Sequence, residues 1–137
     1  MIISLFRVFD ISGSALYAQT VRLNTTASNM ANVDSASSST ANTYRARHPV
    51  FATQLAAADE EAAGVDVLGI VESQTPLRRE YRPDHPLADQ NGYVNMPNVN
   101  QVEEMANMIS ASRSYQSNVE VLNTSKQMLM RTLALGD

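Results

Sequence analysis

Residues 4–33 read SLFRVFDISGSALYAQTVRLNTTASNMANV, and this stretch decides the architecture. Phe9, Leu16, Leu23 and Met30 recur every seven residues, with Leu5, Ser12, Gln19, Thr26 and Val33 in a second row beside them. Steps of three and four residues put both rows on one side of a helix. A stripe this narrow has the form of a coiled-coil seam rather than of a wide globular face. Ser12, Gln19 and Thr26 place small or polar groups inside the seam. Arg7, Asp10 and Arg22 are the only charges in the stretch. A solvated helix normally carries more charge on its outer face, so that face too is expected to be covered.

A second helix with a matching seam is expected at the far end of the chain. Asn100 followed by Glu103 has the spacing of a capping box, and Glu103 and Glu104 suit the positive end of a helix dipole. From there Met105, Met108, Ser112, Tyr115, Val119, Leu122, Lys126, Leu129 and Leu133 step by three and four, with Val102 and Ile109 widening the stripe. Gly136 is a natural stop. Over about 33 residues this helix would reach ~50 Å at ~1.5 Å per residue, and the first about 40–45 Å, so an antiparallel pair is expected.

Between them the chain changes character. Asp34 to Thr43 is almost all Ser, Ala, Asn and Thr and reads as a loop. Alternation over Tyr44–Val50 and Val65–Val71 suggests strands, Leu77–Tyr81 a third, and Asn91-Gly92 a turn into Tyr93 and Val94. Pro49, Pro76, Pro83 and Pro86 predict short or edge strands. Leu55–Ala63 is consistent with either a short helix or a loop tip. The chain is therefore expected to be mainly α with a small β-rich insertion. Residues 1–33 form an N-terminal coiled-coil helix, 34–97 a linker and short-stranded module, and 98–137 a C-terminal coiled-coil helix.

Composition narrows the function. The chain of 137 residues suits one domain, and its net charge of −4 lacks the basic field that nucleic-acid binding requires. There is no cysteine, which excludes disulfides and thiol chemistry. No apolar run is long enough to span a bilayer. The N-terminus lacks the basic start and unbroken apolar run of a secretory signal, so no cleaved leader is expected. His48 and His85, each before a proline, make a weak ligand set, and no metal or cofactor is expected. No Gly-x-Ser-x-Gly elbow or Gly-rich phosphate loop occurs, and neither adjacent glutamate pair has glycosidase spacing. No catalytic residue is assigned, and an enzyme is not expected. The seven methionines, clustered at Met105, Met108, Met128 and Met130, fit helix core or an adaptable interface. Asn24, Ser28, Asn29, Asn32, Asn107, Ser110, Ser112, Ser114, Asn118 and Asn123 are mediocre helix formers, and bonds between close-packed helices would explain them.

Ala27-Ser28-Asn29-Met30-Ala31-Asn32 resembles the N-terminal signature of the bacterial flagellar axial rod proteins, usually Ala-Ser-Asn-Leu-Ala-Asn, and Tyr44-Arg45-Ala46 resembles the motif that follows it. Asp84–Asp89, Gly92-Tyr93-Val94, Met96-Pro97-Asn98-Val99, Glu104-Met105, Ser110–Gln116 and Asn118-Val119 are similar to the approach to, and core of, that family's C-terminal helix. The serine-rich 34–43 segment departs from the shorter link of some relatives. The resemblance implies a structural subunit of the basal-body rod, exported by the flagellar type III apparatus without a cleaved signal. It would polymerise with other rod proteins and with its own copies into a helical, torque-transmitting shaft across the periplasm, around the export channel. Within it, Phe9, Leu16, Leu23, Met30, Met105, Met108, Tyr115, Val119, Leu122 and Leu129 would hold the helix pair. Asn29, Asn32, Arg113 and Asn118 would make register-fixing assembly contacts. The alternative is a soluble helical-hairpin adaptor that binds a single protein partner.

Overall fold

The computed structural model describes residues 2–55 and 62–135, with 2–5, 62 and 63 described by backbone alone. In chain order the elements are α1 (Ile2–Ala31), β1 (Arg47–Leu55), β2 (Ala62–Glu72), β3 (Arg78–Tyr81), β4 (Tyr93–Met96) and α2 (Gln101–Ala134). The expected mainly helical chain with a small β insertion is what is found. Asn100 caps α2, its side chain accepting from Val102 N and Glu103 N, and the first turn carries Glu103 and Glu104. Residues 56–61, within the undecided Leu55–Ala63 stretch, and Gly136 lie outside the described residues. Leu55 itself closes β1, and Ala62 and Ala63 open β2.

The helices pair antiparallel. Arg78 donates to Val33 O and to Pro97 O, so the end of α1 meets the approach to α2. Farther along the pair, Arg22 Nη2 donates to Asn107 Oδ1 at 3.1 Å. Several helix hydroxyls and amides bond within their own chain segment instead. Ser14, Thr20, Thr25, Asn32 and Asn118 each donate to a carbonyl three or four residues back in their own helix. Such bonds satisfy a polar side chain without any partner helix, so these residues fit helices whose surroundings are apolar.

β1 and β2 form a two-stranded antiparallel ribbon, and β3 and β4 a separate hairpin. The ribbon strands are longer than the prolines suggested, 9 and 11 residues. In a two-stranded ribbon each strand has one unpaired edge, so Pro49 can sit opposite Ile70 in register without its missing N–H breaking the sheet. The register slips between Val50 and Phe51, leaving Leu68 as an extra, exposed residue on β2. The serine-rich segment is ordered by exchange of backbone bonds between Ser37 and Asn95, at 2.9 and 3.0 Å, and by Thr43 Oγ1 donating to Ser39 O.

Two asparagines fasten module to helices. Asn29 of α1 is 1% exposed. Its Oδ1 accepts from Arg47 N at 2.9 Å and from Tyr44 Oη at 2.9 Å, and its Nδ2 donates to Arg47 O at 2.8 Å. Asn98, just before α2, accepts from the preceding amide, Ala46 N, at 2.8 Å, and donates to Thr75 O and Thr75 Oγ1 at 2.9 Å. Consecutive amides at the entry to β1 are thus each taken by an asparagine from a different helical segment. Around them Ala46, Val94, Met96, Pro97 and Val99 form the buried apolar centre. Asn29→Ala would leave the Arg47 amide and its carbonyl without these partners, while the Tyr44 hydroxyl would keep Ser28 Oγ at 3.2 Å. It is expected to cost about 2–4 kcal/mol in denaturant unfolding of the full chain, from ~1–3 kcal/mol per unmet buried group. A loss below ~0.5 kcal/mol would show that water replaces the amide freely.

Candidate assembly interface

The helix pair is built on small and polar residues. On α1, Ser12, Ala18, Thr25, Thr26 and Asn29 are buried, while Phe9, Leu16, Leu23 and Met30 are half-buried beside them. On α2 the buried row is Glu104, Ala111 and Ser125, with Asn118 half-buried in step with it. Met108, Leu122 and Leu129 flank that row, half-buried. The row expected from apolarity, Met105, Ser112, Val119 and Lys126, lies one residue farther round. Ser112 and Val119 are half-buried in it, but Met105 and Lys126 are exposed, as is Tyr115 on the flank. The physical reason is size: small residues let two helices approach, so the line of closest contact follows Ala and Ser rather than the largest apolar side chains.

The seam is not fully satisfied. Gln19 Oε1 is buried without a hydrogen-bond partner among the described residues. Glu104 is 3% exposed, and no ion pair or hydrogen bond holds its carboxylate among the described residues. A buried oxygen without a partner, such as Gln19 Oε1, weakens a pair that has only itself for support.

Of the residues expected to contact neighbours, Asn29 faces inward and bonds Arg47 and Tyr44 within the chain. Asn32 closes the last turn of α1 through Ser28 O and accepts from Ser35 Oγ. Asn118 donates to Ser114 O on its own helix, and Arg113 is exposed. Asn98 was not singled out by role, although it falls within the Met-Pro-Asn-Val motif.

The outward surfaces are apolar where an isolated subunit would be charged. On α1, Phe6, Gly13, Tyr17, Thr20, Asn24, Ala27 and Ala31 are exposed along one stripe in which Asp10 is the only charge. On α2, Val102, Met105, Ile109, Val121, Met128, Met130 and Leu133 are exposed. The ribbon adds Leu68, Ile70 and Val71. Exposed apolar area of this extent marks surfaces that meet other proteins. A cavity of about 750 Å³ is lined by neutral groups such as Ser37, Thr43 and Asn32 together with Arg45, Arg47 and Glu72. His48 is exposed, and His85 Nδ1 accepts from Leu87 N within a turn. Among the described residues no helix is long and apolar enough to cross a membrane.

Comparison with known proteins identifies the family. Residues 9–36 match the family model described as flagella basal body rod protein, and residues 90–135 match flagellar basal body rod FlgEFG protein C-terminal. The flagellar basal-body rod protein FlgC of Salmonella typhimurium is 53% identical over 133 residues, covering 97% of this chain and 98% of its own. That of Yersinia enterocolitica is 54% identical over 134 residues, and that of Buchnera aphidicola subsp. Acyrthosiphon pisum 40% over 136, each at similar coverage. The chain belongs to the FlgC family of flagellar basal-body rod proteins. It is a structural subunit of the basal-body rod.

The outer tip of the module is held by charge. Asp89 Oδ1 accepts from Tyr93 N and Asn91 N, both at 2.9 Å, and Arg79 Nη2 lies 2.7 Å from Asp89 Oδ2 while its guanidinium covers the Tyr93 ring. The Tyr93 amide above all, then Asn91 and Arg79, holds the Asp89 carboxyl below its ordinary 3.8. A depressed carboxylate contributes stability above its unfolded value and loses it as pH falls through the folded one. The tip is therefore expected to stay intact at pH 5 and to loosen only below about 3.8, followed by NMR through the Tyr93 amide and the Asp89 carboxyl. Titration of Asp89 at or above the ordinary value would contradict this.

Proposed function

We propose that this rod subunit forms the proximal part of a helical drive shaft, polymerising with other rod proteins and with copies of itself. In this reading α1 and α2 lie toward the central axis and line the export channel, and the β module lies outside them and makes lateral contacts. Phe9, Leu16, Leu23, Met30, Met108, Leu122 and Leu129 support the helix pair. Arg113, exposed near the middle of α2, is available to a neighbour. The subunit passes through the flagellar type III export apparatus without a cleaved signal, acts in the periplasm, and performs no catalysis. Torque would be carried by many modest contacts per subunit rather than by one strong one.

The observation that carries this reading is the nearly uncharged outer stripe of α1 together with the large apolar side chains exposed on both long helices. A free-standing adaptor would solvate those faces with lysine and glutamate. Here they hold Phe6, Tyr17, Val102, Ile109 and Met130.

Deletion of the gene, followed by imaging of purified basal bodies, tests the reading. Rod, hook and filament should be lost and should return with the wild-type gene. A Leu122→Asp gene should not restore them, since a carboxylate forced into the helix pair costs about 2–4 kcal/mol. Normal flagella in a deletion strain without a second copy would contradict it.

A further inference from the structure

The two ends of the helix pair differ in length, in charge and in what they expose. From the contact between Arg22 and Asn107, α2 runs on 27 residues to Ala134, whereas α1 runs back only 20 residues to Ile2. α2 therefore projects past the start of α1 by about seven residues, roughly 10 Å. This tip exposes Met130, Leu133 and Leu135, the last 88% exposed. Between Val121 and Leu135 the only charged residues are Lys126 and Arg131, with Asp137 two residues beyond. Neither forms an ion pair among the described residues.

The opposite end is apolar and acidic. The first turns of α2 expose Val102, at 76%, together with Met105 and Ile109. Glu103 and Asp34 are exposed there without a cation partner among the described residues. A cleft of about 450 Å³ opens beside them between Val33, Pro76 and Val99. Arg78, also at this cleft, is engaged by Glu80 and by the Val33 and Pro97 carbonyls.

We propose that the basic tip of α2 docks on the acidic base of α2 in a second copy of this chain. Met130, Leu133 and Leu135 would meet Val102, Met105 and Ile109, while Lys126 and Arg131 would face Glu103 and Asp34. The contact joins two different patches, so each added copy leaves one tip and one base free. Such heterologous contacts generate open helical arrays rather than closed dimers. The proposal rests on the reading of the chain as a polymerising rod subunit and supplies that reading with an axial contact.

Because the chain has no cysteine, single cysteines report this contact without background. Full-length Leu133→Cys and Val102→Cys chains, both altered at exposed positions, are mixed in equal amounts and oxidised. Disulfides between positions 133 and 102 should outnumber like-with-like pairs several-fold, and the double variant should give a ladder of oligomers. Arg131→Glu introduced into the Leu133→Cys chain, or Glu103→Arg into the Val102→Cys chain, should reduce the cross-link. Combining the two altered chains should restore it. Dominance of 133–133 or 102–102 disulfides, a yield no greater than with an exposed control at Gln116→Cys, or charge reversals without effect would each overturn the proposal. Loss of the rod on gene deletion alongside any of these results would leave the rod reading standing and remove only the tip-to-base contact.

Discussion

The grip of two asparagine side chains on the start of β1 is the constraint on which the rest of the subunit depends. Asn29 and Asn98 take the adjacent amides of Arg47 and Ala46. Through them α1 and the approach to α2 are fixed to the same point of the module. An amide side chain can donate and accept at once, so Asn29 completes both the amide and the carbonyl of Arg47 as a neighbouring strand would. Elsewhere α1 is tied to the module by Val65 N donating to Ser14 Oγ at 3.0 Å and by Arg78 donating to Val33 O, but at this junction side chains from both helical segments hold the start of one strand.

Away from that junction the chain invests little in its own stability. Among the described residues the buried apolar groups are few and mostly small, and the seam carries the buried Gln19 oxygen without a partner. Large apolar side chains are turned outward instead. This division suits a part of a larger structure. Hydrogen bonding is concentrated where helices meet module, and the outer faces leave large apolar side chains exposed. Small residues along the helix contact also keep the pair thin, so that many such pairs can be arranged around a common axis.

Much of this was legible in the sequence. Heptad spacing in α1 identified its inward side, because Phe9, Leu16, Leu23 and Met30 are regular and polar interruptions are short. The Asn100 cap and the Asn91-Gly92 turn were readable because their chemistry is local. The α2 seam was less legible. Its inner row runs Glu104, Ala111, Asn118 and Ser125, and a reading by hydropathy favours the neighbouring Met105 and Val119. Hydropathy orders residues by transfer free energy, whereas helix contact here is ordered by size, and both faces of α2 are apolar enough to be confused. The roles of Asn29 and Asn98 depend on backbone groups far away in sequence, which no periodicity reveals.

The central claim is that this subunit is rigid at its junction and completed at its helix tips only by assembly. Hydrogen exchange of backbone amides, compared between the isolated chain and purified basal bodies, tests it most directly. Protection at Ala46 and Arg47 should be high in both, while amides from Met128 to Leu135 should exchange quickly in the isolated chain and become protected in the rod. Equal protection of those tip amides in both states would contradict the account.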